Sequence, residues 1–165
     1  WFWATSERFL SRKTFQVSDG SDRTYAYMPS LSATGWVVDR AVRFLRSTHP
    51  TDTVMVLPEG VSINYLARRR AASPQLRWLP IDVDANSEAT VVERLSHEPP
   101  DWVVLISRDL REFGFSRYGD RVGNGLLILR WLDSHYAVDS RIGSDPRAAG
   151  AVGAVIYRRI SATAK

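Results

Sequence analysis

Two short stretches carry most of the residue types with which this chain could do chemistry. Pro58-Glu59-Gly60, with Asn64 four residues further on, follows the apolar run Val54-Met55-Val56-Leu57. Ser107-Arg108-Asp109 follows a second run, Trp102-Val103-Val104-Leu105-Ile106. Each pattern is that of a buried strand breaking into a loop. If the two strands are parallel neighbours, both loops open into one crevice at the carboxyl ends of the sheet, where ligands of open α/β sheets usually sit. Glu59, Gly60, Asn64, Arg108 and Asp109 would line it. Glu59 and Asp109 could then act as acid and base, and Arg108 could clamp an anion. Gly60 would let the backbone turn tightly into a helix whose first N–H groups can receive negative charge. The same residues also fit a structural role in which Glu59 and Arg108 form an ion pair tying the loops together. Residue types alone leave both readings open.

The connection from Arg108 to Asn124 is long for a compact domain, and long loops are often functional. It interleaves Arg108, Arg111, Arg117 and Arg121 with Phe113, Phe115 and Tyr118. Such a mixture can stack on sugar rings or meet lipid phosphates. It can equally pack its aromatics on the core and leave its arginines in solvent. Tyr118 is retained as a candidate ligand-binding residue.

Other motifs fail on inspection. Gly123-Asn124-Gly125 lacks a third glycine and follows no strand, so it is no dinucleotide fingerprint. Gly60-Val61-Ser62-Ile63-Asn64 has Asn64 where a nucleophile elbow needs glycine. Asp82-Val83-Asp84 lies in a Pro/Asp/Asn-rich linker and has the composition of a surface turn. His49, His97 and His135 are isolated, and each closes an expected helix, where a histidine suits the helix dipole. No metal site and no cofactor is expected.

The elements that must position these residues alternate along the chain. Phe15–Val17 and Thr24–Tyr27 flank the turn signal Ser18-Asp19-Gly20-Ser21-Asp22. Thr34 can cap a helix whose apolar face is Val37, Val38, Ala41, Phe44 and Leu45, with Asp39, Arg40, Arg43 and Arg46 on the other face. His49-Pro50 stops it. A strand over 53–57 and a helix over about 61–70 follow, then an alternating strand over 75–79, which suits a sheet edge. Ser87 can cap a helix ending near Glu98. The second apolar strand, 101–107, precedes a helix over about 125–135 and strands near 136–142 and 154–160. The Gly- and Ala-rich link between those last two is expected to be mobile. Continuous apolar strands belong in the sheet centre, and helices between strands favour parallel pairing. The expected fold is therefore α/β, a Rossmann-like three-layer sandwich with a mostly parallel central sheet and an antiparallel C-terminal edge hairpin. Residues 1–20 are expected to form a tether or arm and 21–165 a single α/β domain.

Composition agrees with one globular domain. The chain has 165 residues, 44% of them hydrophobic and 24% charged, enough to bury a core without disulfides or metal. The absence of cysteine excludes disulfides, thiolate zinc sites and cysteine nucleophiles. The net charge of +4 is carried almost wholly by arginine, since Lys13 and Lys165 are the only lysines. Acidic residues are mixed among the arginines, so no continuous basic stripe for nucleic acid is evident. No run approaches the ~20 apolar residues of a membrane helix. The chain opens on Trp1-Phe2-Trp3. Tryptophan is enriched at the membrane–water boundary; a longer or processed protein is expected, and if a membrane is involved, its anchor is expected upstream.

Several stretches together resemble a family. Pro58-Glu59-Gly60 with Asn64-Tyr65-Leu66 and Arg68-Arg69, Pro99-Pro100-Asp101-Trp102-Val103-Val104-Leu105 with Arg108-Asp109, Glu112-Phe113-Gly114, and Tyr118-Gly119 are similar to the C-terminal soluble region of bacterial multi-pass membrane glycosyltransferases. These belong to the superfamily of the dolichyl-phosphate-mannose protein mannosyltransferases and lipid A aminoarabinose transferases. Gly143-Ser144 and Val155-Ile156-Tyr157-Arg158-Arg159 fit the same pattern, and the resemblance spans roughly residues 20–160. It implies an extracytoplasmic domain, on the periplasmic or cell-exterior side, joined to an upstream transmembrane region of the same polypeptide. Trp1-Phe2-Trp3 would then be a remnant of the membrane junction. Such enzymes take sugar from a polyprenyl-phosphate donor, and their catalytic carboxylate lies in an early loop outside this chain. No catalytic residue is therefore expected here. Acceptor recognition, partner docking and structural support are all open as its role, and a glycan, a peptide or a lipid head group is the ligand class to consider. The competing expectation is a free-standing small α/β enzyme acting on an anionic substrate through Glu59, Arg108 and Asp109.

Overall fold

In the computed structural model, residues 6–160 are described apart from Arg8 and Ala85. Trp1-Phe2-Trp3 lies outside them. Among the described residues the body is a mixed α/β fold with a five-stranded sheet and four complete helices. A hairpin of β1 (Phe15–Val17) and β2 (Thr24–Ala26) leads into α1 (Thr34–Arg46). Next come β3 (Thr53–Leu57), α2 (Val61–Ala67), β4 (Arg70–Ala71) and α3 (Ser87–His97). The chain closes with β5 (Trp102–Ile106), α4 (Leu126–His135), β6 (Tyr136–Gly143) and β7 (Gly153–Arg159). Among the described residues no helix is long and apolar enough to cross a membrane.

The sheet order is β4-β3-β5-β7-β6. β3 and β5 are parallel neighbours, with Val54 opposite Trp102 and Leu57 opposite Leu105, as their unbroken apolar runs predict. β4 is parallel to β3, whereas β7 is antiparallel to both β5 and β6. The pairs are thus evenly divided, and the expected parallel majority is corrected. β7 joins the centre of the sheet beside β5, and β6 is the edge.

Period-two alternation sends each strand's side chains into two cores. Met55, Leu57, Val103 and Leu105 pack with Val91 and Leu95 of α3 and Ile128 and Leu132 of α4. Val54, Val56, Val104 and Ile106 pack with Val37, Ala41 and Leu45 of α1 and Ile63 and Leu66 of α2. Each fully buried side chain of this kind contributes about 1.5–3 kcal/mol.

Several expectations are corrected. Residues 75–79 form no strand. They cross the end of β3 as a strap, with one antiparallel bridge between Glu59 and Arg77 and a 2.7 Å bond from the Trp78 amide to the Pro58 carbonyl. The actual edge next to β3 is the two-residue β4, because the preceding helix stops at Ala67, where Arg68 turns left-handed at φ 55°. Asp39 is buried, not solvent-facing. It accepts from the Ser18 amide at 2.9 Å and from Arg43 Nε at 2.8 Å, so the hairpin turn is docked on α1. Thr34 is the first helical residue, preceded by Ala33, and caps nothing. Ser87 pairs reciprocally with Asp84: its amide donates to Asp84 Oδ1 at 2.8 Å, and its Oγ accepts from the Asp84 amide at 3.0 Å. β1 lies within the stretch 1–20, and its Val17 is buried against α1, which leaves the division into an arm and a domain untouched.

Candidate functional site

The crevice forms where β3 and β5 end. The peptide bond Leu57–Pro58 is cis, and Gly60 then begins α2. A Cβ on Gly60 would lie 2.2 Å from Val56 Cγ1, so only glycine lets the helix start this close to the strand. Because β7 runs antiparallel to β5, its first residue, Gly153, sits beside Ser107. The Ser107 amide donates to the Gly153 carbonyl at 2.9 Å, and the Gly153 amide donates back to Ser107 Oγ at 3.0 Å. The β6–β7 link is thereby brought to the same sheet end as the two predicted loops.

Arg108 is the hub. Its Nε donates to Glu59, Nη2 donates to Glu112 Oε1 at 2.5 Å, and Nη1 donates to the Asp109 carbonyl at 2.7 Å. Partial burial works against its positive charge, but the bonds and charges of Glu59 and Glu112 outweigh that and raise its pKa. Asp109 turns away from this hub to Arg111. It accepts from Arg111 Nε at 3.0 Å and Nη2 at 2.6 Å, and from the Arg111 amide at 3.0 Å. These bonds hold its carboxyl down to about 2.

Two hollows flank Arg108. The larger, about 630 Å³, is lined by Thr34, Ser107, Arg108, Arg111, Ser116 and Arg117 together with the 146–152 link. The smaller, about 360 Å³, is lined by Glu59, Gly60, Ser62, Arg77 and Arg108 among others. Both share Thr34, Ser107 and Arg108, so they are two lobes of one cleft divided by the Glu59–Arg108 pair. The link over the larger lobe, expected as mobile from its composition, is anchored by Arg147. That side chain grips Asp133 of α4 at 2.6 and 3.0 Å and donates to the Tyr157 hydroxyl at 3.1 Å.

The predicted site residues therefore divide. Glu59, Gly60, Arg108 and Asp109 meet in the cleft. Asn64 does not: its Nδ2 donates to the Val54 carbonyl at 3.0 Å, stitching α2 to β3. Tyr118 is also elsewhere. It is buried with its ring over Gly125, where a Cβ would come within 2.1 Å. Burial, with the negative charge of Glu88 second, pushes its phenol well above the usual range. Phe113 and Phe115 pack on the same core, and Arg121 lies 4.3 Å over the Phe115 ring. In this loop the aromatics are structural. Sequence reasoning missed Thr34, Ser116, Arg117 and the 146–152 link as cleft walls. The available signal was the antiparallel C-terminal hairpin, which has to return its turn to this end of the sheet.

The cleft is lined by four arginines, Arg77, Arg108, Arg111 and Arg117, and by no histidine. Arg117 donates to the Arg147 carbonyl at 3.2 Å. Among the described residues no group of three or more acidic or histidine side chains is placed to hold a metal ion. The chemistry on offer is charge-assisted donation to an anionic ligand. No known family model matches the chain, and no curated protein or solved structure matches it either.

Proposed function

We propose that this chain is a binding domain without catalytic residues of its own, and that its cleft receives a ligand bearing a carboxylate or phosphate. One observation carries this: both carboxylates predicted as acid and base are held by arginines, Glu59 by Arg108 and Asp109 by Arg111. A general base needs a free lone pair and a pKa near the working pH, whereas Asp109 is held at about 2. Arg117 of the larger lobe makes no ion pair among the described residues, and its guanidinium beside that of Arg111 suits anion binding. We further propose that the domain serves as the extracytoplasmic C-terminal part of a polyprenyl-phosphate-sugar-dependent membrane glycosyltransferase, engaging an acceptor glycan, a peptide or a lipid head group. The residue pattern around Pro58-Glu59-Gly60, Arg108-Asp109 and Glu112-Phe113-Gly114 supports that kinship. Helices on both faces of the sheet support a Rossmann-like three-layer assignment.

The test is to titrate the purified chain with inorganic phosphate and with glucuronate while recording amide NMR spectra. Shifts confined to residues 107–117 and 146–152, lost in Arg111→Gln/Arg117→Gln, are expected. Absence of such shifts would remove the cleft as an anion site. Turnover of an anionic substrate that disappears in Glu59→Gln without a change in melting temperature would favour the free-standing enzyme instead.

A further inference from the structure

A second surface, away from the cleft, carries its own signature. β6 is an edge strand eight residues long, and its outer side has no partner in the sheet. Between this edge and α1 runs a hollow of about 400 Å³ lined by Trp36, Arg40, Phe44, Ser140 and Ile142 among others. The positive charge around it is weakly neutralised. Arg40 and Arg158 make no ion pair among the described residues. Each instead lies over an indole, Arg40 at 6.0 Å from the Trp36 ring and Arg158 at 5.9 Å from Trp102. A guanidinium resting on an aromatic face keeps its N–H edge available for a carboxylate and loses little freedom on binding. Arg43, on the same helix, is paired with Asp39.

The opposite face of the edge is also basic. Arg141 also borders the hollow, but it is opposite Val155 in the β6–β7 register, and Val155 packs in the core beneath α4, so the pleat directs its side chain to that face. It is exposed and makes no ion pair among the described residues. The one carboxylate of β6 is Asp139, which falls at the register shift between Val138 and Ser140.

We propose that the free edge of β6 receives an extended acidic peptide segment, added as a further strand. Main-chain hydrogen bonds to an open edge supply affinity that is independent of side chains, and pockets on either face supply selectivity. Here acidic side chains at successive positions of the added strand fall on opposite faces, where they meet Arg40 and Arg158 on the α1 face and Arg141 on the α4 face. A second copy of this chain is a poor occupant, because its own edge brings the same arginines and a net charge of +4.

The experiment uses a fluorescein-labelled peptide as long as β6, in which pairs of glutamates alternate with pairs of valines so that both faces receive acidic side chains, and follows anisotropy. Binding that weakens as salt rises is expected, with a loss of roughly tenfold in the exposed-surface variant Arg40→Gln/Arg141→Gln. The same peptide with alternate main-chain nitrogens methylated should not bind, because it cannot extend the ladder. Equal binding of a lysine–valine peptide, undiminished binding of the methylated peptide, or binding indifferent to Arg40 and Arg141 would each overturn the proposal. So would a concentration-dependent dimer in sedimentation that Val138→Lys abolishes, which would make a second copy the occupant.

Discussion

Arg108 directs every donor edge of its guanidinium at protein oxygens, and this decides the character of the cleft. Its pair with Glu59 is about one third exposed, at 32% for Arg108 and 34% for Glu59. A pair so open to water contributes on the order of 1 kcal/mol or less to stability. Its weight is therefore geometric: it sets the partition between the two lobes. Asp109 tells the same story through protons. Its carboxyl is held down first by the side-chain bonds of Arg111, then by the Arg111 amide. A depressed carboxyl pKa means the pairing is fully present above the ordinary value of 3.8 and is lost as pH falls through about 2. An NMR titration should thus give Asp109 a midpoint near 2, and Arg111→Gln should move it back towards 3.8. An unmoved midpoint in that variant would show that Arg111 is not its cause.

At the scale of elements, two buried charged side chains take over work that sequence rules assign to caps. Glu88 of α3 is fully buried and accepts from the amides of Gly123 at 2.5 Å, Leu127 at 2.7 Å and Ile128 at 3.2 Å. It thereby caps α4, satisfying first-turn donors and placing negative charge at the positive helix end. Arg69, after α2, donates to the carbonyls of Arg46 at 3.2 Å and Thr48 at 2.8 Å, where α1 ends. Replacing Glu88 by Ala should cost about 3 kcal/mol, because three donors lose their partner in a buried place. That corresponds to a fall of roughly 6–12 °C in Tm for a chain of this size. A change below about 1 kcal/mol in urea unfolding would contradict the capping role. Neither cap was legible beforehand, since a lone Glu in a helix carries the pattern of a solvated face. The alternating Gln75–Leu79 misled for a related reason. Trp78 and Leu79 are buried in the core under α3, and a loop that tucks in two large side chains imitates a strand. β4, with two residues, is too short to leave any period at all.

Across the whole molecule, the legible part was the part governed by continuous burial. The runs 54–57 and 103–106 are apolar on both faces because both faces are covered, and that placed β3 beside β5 and brought Glu59 to Arg108. The position of β7 was not legible in the same way. Its apolar Ala154-Val155-Ile156-Tyr157 is as continuous as a central strand's because it is one, although the final hairpin was expected wholly at the rim. The antiparallel hairpin was expected, but not that β7 would enter the sheet beside β5, and so the third wall of the cleft went unseen.

That insertion has a consequence for how the protein is made. β7 separates β5 from β6, so a chain still being synthesised cannot complete its sheet until the last strand has left the ribosome. Until then the flank of β5 is bare and apolar, and β6 has no neighbour to lie against. A version terminated after Val152 should be recovered in inclusion bodies, and supplying residues 153–165 as a separate peptide during refolding should restore soluble material. If the shortened version instead stays soluble and monomeric with unchanged circular dichroism, the last strand is dispensable and the sheet closes without it.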